Sequence, residues 1–176
     1  MLLKLLSVDD HMLLLYLLQL LALADKPLLW DGRKKEEITS ETNLNNLSIQ
    51  QGELESSFID DLKAERNPPL GWAQRTPSVA TRLVNKLKAL SLQQAEIPEA
   101  RVGVGVAVMR ELLEGKKFEL PSVPKLMLFE LILLALCGGN ISNIEWALLR
   151  EFQHHHKLED FVFDDLLERA EAMNRE

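Results

Sequence analysis

The chain has 176 residues and a mass of 20.0 kDa, with 47% hydrophobic residues, enough for one packed domain that buries roughly two-thirds of its unfolded surface. A net charge of −7 and a pI near 5.2 argue against nucleic acid, which requires a basic face, and suit a cation or a basic protein partner instead. Cys137 is the only cysteine, so no disulfide forms within the chain, and a reducing, cytoplasmic setting is expected.

The N-terminal run "MLLKLLSVDDHMLLLYLLQLLALAD" imitates a signal peptide up to Ala22-Leu23-Ala24. Asp9, Asp10 and His11 sit where such a segment is uncharged or basic. The apolar stretch 12–24 includes Gln19 and falls short of the ~20 residues that span a bilayer. It reads as a buried core helix, not a transmembrane one, with Ser7 and Asp10 spaced as a capping box. Residues 31–52 are polar, Asn-rich and poorly periodic, and are expected to hold a short helix and a mobile loop. Pro68-Pro69 then forbid helix continuation. Thr76-Pro77 is read as the cap of a helix with Val79, Leu83, Leu87 and Leu90 at helical spacing. Pro98 opens a segment striped by Val102, Val106, Met109 and Leu113, with Gly115 as its stop. Ser122 and Pro124 lead into 126–137, apolar except for Glu130 and so expected to be buried on most sides. Ile141, Ile144, Leu148 and Phe152 form one face of the next helix. Phe163, Leu166 or Leu167, Ala170 and Met173 form one face of the last. No run alternates as a strand does, and the expected class is all-α.

The chain repeats itself. "LYLLQLLALAD" (15–25) lies over "LFELILLALCG" (128–138) with six identities, and "LESSFIDDL" (54–62) lies over "LEDFVFDDL" (158–166) with five. Both halves run from an apolar helix through a corner and a polar stretch to an acidic helix carrying "DDL". The expected architecture is a single domain, 1–176, of two related three-helix units, 7–66 and 122–174. Connecting helices over about 77–115 join them.

The second half, "ALCGGNISNIEWALLREF" followed by "LEDFVFDDLLERA", resembles the tellurite-resistance TerB-like proteins. Gly139, Ile141, Ser142 and Glu145 match the corner and the "I-S/D-x-x-E" helix start of that family. "ALAD" (22–25) and Asp31-Gly32 match its first corner, split here by an insertion. The resemblance implies an all-helical fold of two related halves and a role in stress and tellurite resistance. It also implies a divalent cation, Ca²⁺ or Mg²⁺, held by acids near the corners. The candidate metal ligands are Asp25, Asp31, Glu36 and Glu37 at the first corner and Glu145 at the second. The first corner is favoured because the carboxylates gather there, while Gly138 and Asn140 stand at the second.

Plainer readings accompany several of these residues. Ser142 and Glu145 have capping-box spacing, and Gly138-Gly139 suit a helix C-terminus. "VGVGVAV" (102–108) lacks the third glycine of a dinucleotide fingerprint. His154, His155 and His156 point about 100° apart on a helix and read as a solvated helix end. Asp60-Asp61 and Asp164-Asp165 read as solvent-facing acids. Glu130 is expected to be largely buried and hydrogen-bonded with an arginine, Arg82, Arg101 or Arg110, or with a polar group from another helix. Trp30, Trp72 and Trp146 read as packing or interface anchors, and Cys137 as inert. No nucleophile–base arrangement stands out, and metal-assisted hydrolysis trails two non-enzymatic readings. The first is a cytoplasmic TerB-like binding or scaffold module that contacts a protein partner, a second copy of itself included. The alternative is an acidic inhibitor or immunity-type protein that neutralises a basic partner through 159–176, a stretch with seven acids and two bases.

Overall fold

The computed structural model describes residues 6–50, 52–65, 78–118 and 120–175, without side chains for 62–65. Among these residues the regular structure is helical, apart from one two-stranded ribbon.

Helix α1 (Val8–Ala24) is the hub. Its start is set by the Ser7 hydroxyl, which accepts the Asp10 N–H at 3.1 Å, and by Asp9 and Asp10 beside the positive end of the helix dipole. From His11 to Ala24 every residue except Tyr16 and Gln19 is buried. Such an all-round apolar helix needs neighbours on every side. It has them in α2 (Glu53–Glu65), α3 (Val79–Lys88), α5 (Pro98–Leu113), α6 (Ser122–Cys137) and α7 (Asn143–His155). The last helix, α8 (Asp160–Arg175), packs on α6. No described helix is long and apolar enough to cross a membrane.

The first corner departs from expectation. Residues 28–49 form a ribbon in which β1 (Leu28–Trp30) pairs antiparallel with β2 (Leu47–Ile49), Trp30 facing Leu47. The short helix expected here is a single 3₁₀ turn, Lys35–Glu37. Strands of three residues are too short to show an alternation in sequence. Leu28, Trp30 and Leu47 pack with Leu87 of α3 and Ala95 of the one-turn helix α4 (Leu92–Ala95), a small core apart from the main one.

Other helices follow their sequence signals with adjustments. Ser78, whose hydroxyl accepts the Thr81 N–H, caps α3. Thr76-Pro77 and Trp72 lie outside the described residues. In α5 the buried face carries Arg101, Gly105, Val108, Met109, Leu112 and Leu113; Met109 and Leu113 of the expected stripe are buried, while Val102 and Val106 are half-buried and the N-terminal part of the buried face lies one residue around, at Arg101 and Gly105. Gly105 explains the rotation. A Cβ there would stand 3.3 Å from Leu148 of α7 and 3.8 Å from Ala24 of α1, so the glycine lets three helices approach.

Helix α6 is apolar all round but not buried all round. Leu126, Phe129, Glu130, Leu133 and Cys137 form one half-exposed strip, while Met127, Leu128, Leu131, Ile132 and Leu134 are sealed in the core. Glu130 is therefore half-buried instead of largely buried. Of the arginines considered for it, Arg82 pairs with Glu111, Arg110 pairs with Glu151, and Arg101 donates to backbone carbonyls; Glu130 is not without a partner.

Candidate functional site

The two corners meet. Helix α1 ends at Asp25, and the carbonyls left free at its C-terminus need partners. Arg101 of α5 supplies them, its guanidinium donating to the Leu23 carbonyl at 3.3 Å and the Lys26 carbonyl at 2.9 Å. Lys26 then turns its ammonium to Glu55 of α2, 2.6 Å away, and lies 4.0 Å from Asp25. Glu55 is only 7% exposed and packs under the second corner, where a Cβ on Gly138 would stand 3.1 Å from its Oε1. A Cβ on Gly52 would clash with the other carboxylate oxygen, so small residues on both sides make room for this acid.

Glu145 completes the junction from α7. Ser142 and Glu145 form a reciprocal capping box, with the Ser142 N–H donating to Oε1 at 2.9 Å and the Glu145 N–H donating to the Ser142 hydroxyl at 3.2 Å. The residue is 7% exposed. Burial pushes its carboxyl up to about 7; the Ser142 N–H pulls down, and the Asp25 charge adds to the rise. For Glu55, burial works against ionisation, but the Lys26 hydrogen bond, a backbone hydrogen bond and the Lys26 charge together outweigh it and hold the pKa below the usual range. Burial likewise works against Lys26, yet the Glu55 hydrogen bond and the charges of Asp25, Glu55 and Glu145 raise its pKa. The junction thus holds three acids, Asp25, Glu55 and Glu145, against two bases, Lys26 and Arg101.

Of the five candidate metal ligands, only Asp25 and Glu145 share this junction. Asp31 sits on the ribbon, exposed, with a left-handed φ of 56°, and accepts from Asn46 Nδ2 at 2.9 Å and the Asn43 N–H at 3.4 Å. Those bonds, the Asn46 one first, hold its pKa low and brace the loop. Glu36 and Glu37 lie exposed on the 3₁₀ turn. Among the described residues no group of three or more His, Cys, Asp or Glu is arranged to hold a metal ion. Asp25 and Glu145 fit a divalent cation only if Lys26 is displaced, because its ammonium already serves Glu55 and Asp25.

Sequence reasoning nominated the ends of this junction and missed its middle. Lys26, Glu55 and Arg101 are ordinary surface residue types far apart in the chain. One signal was available: Glu55 falls in the first "LE" that repeats as Leu158-Glu159. The second corner is the helix–helix turn its glycines suggested, with Gly139 at φ 112°. Burial and then the Glu55 charge push the half-buried Cys137 thiol up, which makes it a poor nucleophile. His154 and His155 are exposed, but His156 is not a solvated helix end. It lies between Phe118 and Phe152, with ring centroids at 4.9 and 4.5 Å, and burial drives its pKa down to about 4.

No protein-family model, curated protein or solved structure matches this chain.

Proposed function

We propose that the protein is a non-enzymatic helical binding module of the TerB-like kind, acting in a stress response of the tellurite-resistance type through contact with another protein. The observation that carries this reading is the junction, where the corners of two sequence-similar halves meet around Asp25, Lys26, Glu55 and Glu145. Within this reading the protein works in the cytoplasm, where Cys137 stays reduced. Ca²⁺ or Mg²⁺ is the candidate ligand, with Asp25 and Glu145 as its nearest acids. Calorimetry with Ca²⁺, Mg²⁺ and Zn²⁺ tests it: saturable heat with Ca²⁺ or Mg²⁺, lost in Asp25→Asn and Glu145→Gln, is the expected result. A flat titration up to millimolar ion, with an unchanged melting temperature, removes the cation and leaves a metal-free module.

A second reading has its own support. Glu159, Asp160, Asp164, Asp165, Glu168 and Glu171 are all exposed at and along α8. That surface suits an acidic inhibitor of a basic protein. Binding of a lysine-rich helical peptide that weakens steeply with salt, and disappears when Asp164 and Glu168 become lysine, is its expected signature.

A further inference from the structure

At the end of α1 away from the junction, Asp9, Met12 and Leu13 share one face of the helix. There a pocket of ≈ 400 Å³ opens between α1, Arg82 of α3 and the end of α5, a size that holds a small ligand. Gly115, at φ 71°, lets the chain turn after α5, and the residues on either side of it, Glu114 and Lys116, both line the pocket. The floor is apolar, since Met12, Leu13 and Leu112 are all buried.

The charges around this floor are not spent on one another. Asp9, Glu114 and Lys116 are exposed and make no ion pair among the described residues, although all three border the same pocket. Arg82 is underused as well. Its Nη1 reaches Glu111 at 3.5 Å, a long contact, while Lys86 holds the other oxygen of that carboxylate at 2.7 Å. Its Nε is shut off from water and has no hydrogen-bond partner among the described residues. A guanidinium with an unanswered donor gains by swinging toward a carboxylate, which accepts two parallel N–H bonds from its planar edge. With Glu111 answered by Lys86, two acids and two bases remain: Asp9 and Glu114 against Arg82 and Lys116. A plain anion or a plain cation answers one pair and meets like charge in the other. A molecule that carries both a carboxylate and an ammonium answers both, and an apolar side chain on it covers the floor.

We propose that this pocket binds a free α-amino acid with an apolar side chain, its carboxylate on Arg82 and Lys116, its ammonium on Asp9 and Glu114, and its side chain on Met12, Leu13 and Leu112. The inference goes beyond the cation and the protein partner and depends on neither. Asp9 and Asp25 stand about 24 Å apart along α1, so a flat metal titration leaves the pocket standing, and an empty pocket leaves the junction untouched.

Calorimetry of the full chain with L-leucine, L-methionine and L-phenylalanine tests it. The expected result is saturable heat that N-acetyl-leucine, which lacks the ammonium, and leucinamide, which lacks the carboxylate, fail to reproduce. Glycine, with no side chain for the floor, should bind about tenfold more weakly or worse. Lys116→Glu and Asp9→Asn alter exposed residues outside any ion pair, so each should leave the thermal melt unchanged and weaken leucine binding about tenfold. Arg82→Lys keeps the charge but loses the planar fork, and should weaken it as well. The absence of heat from all three amino acids at ~10 mM overturns the proposal. Leucine binding that survives all three substitutions overturns it too, by placing the site elsewhere. Equal binding of N-acetyl-leucine does the same, because the ligand is then a plain carboxylate.

Discussion

Glu145 makes stability depend on pH in a direction unusual for a carboxylate. Its ordinary value is 4.5, and in the fold it titrates at about 7. Between those values the folded protein holds a proton that the unfolded chain has released. The contribution is complete below the unfolded value and is lost as the pH rises through about 7. Glu145→Gln should abolish that loss while keeping the Ser142 cap, since Gln also serves in a capping box. Thermal melts at pH 8 should then show the variant more stable by on the order of 2 kcal/mol, after allowance for screening by nearby water. His156 acts on the other limb. Its pKa falls from 6.5 to about 4, so stability is lost as the pH drops below 6.5. A second residue-scale test lies at Gln153, which is 1% exposed and fully engaged. Its Nε2 donates to the Leu158 carbonyl at 3.0 Å and to Asp160 at 2.8 Å, while its Oε1 accepts from Arg150. Gln153→Leu strands those partners and should cost about 1–3 kcal/mol in urea denaturation.

Among the elements, the turn between α6 and α7 carries the sharpest prediction. Gly139 has a φ of 112°, a conformation L side chains rarely adopt, and a Cβ there would meet nothing. Gly139→Ala should therefore cost about 1–3 kcal/mol through backbone strain alone, read as a lower denaturant midpoint with an unchanged slope. Helix α6 offers a paired test of its two faces. Leu131 is sealed in the core and Leu133 lies on the open strip. Leu131→Asp buries an unpaired charge and should abolish the cooperative melt, while Leu133→Asp should leave a folded protein. This contrast also marks what the sequence could and could not reveal. Capping residues, apolar periodicity and Gly–Gly punctuation located α1, α5, α6, α7 and α8 closely, because those signals act within a few residues. The open side of α6 left no trace, since Leu126, Phe129 and Leu133 are as apolar as their buried neighbours. The ribbon was equally silent: its strands span three residues each, and Trp30 is held by Glu96 from far along the chain, at 3.2 Å.

For the molecule as a whole, the junction was only half legible for the same reason. Asp25 and Glu145 announce themselves beside corner motifs. Lys26, Glu55 and Arg101 become neighbours only when five helices converge on one spot, which no local pattern encodes. The junction links α1 and α2 to α5, α6 and α7, so its central cation should matter beyond its own contacts. Lys26→Met leaves Glu55 buried without its counter-ion and should destabilise the protein by about 2–3 kcal/mol, below the value for a fully buried pair because Lys26 keeps some contact with water. Equilibrium unfolding followed by Trp fluorescence would report it.

The central position of α1 also constrains how the chain is made. A ribosome adds about 5–20 residues each second, and α1 is finished long before α5, α6 and α7, the helices that enclose it. For several seconds the most leucine-rich part of the protein has left the exit tunnel with most of its burial partners not yet synthesised. A nascent chain in that condition is a natural client for a ribosome-associated chaperone. A message that stalls before α6 would release a product with its stickiest surface bare.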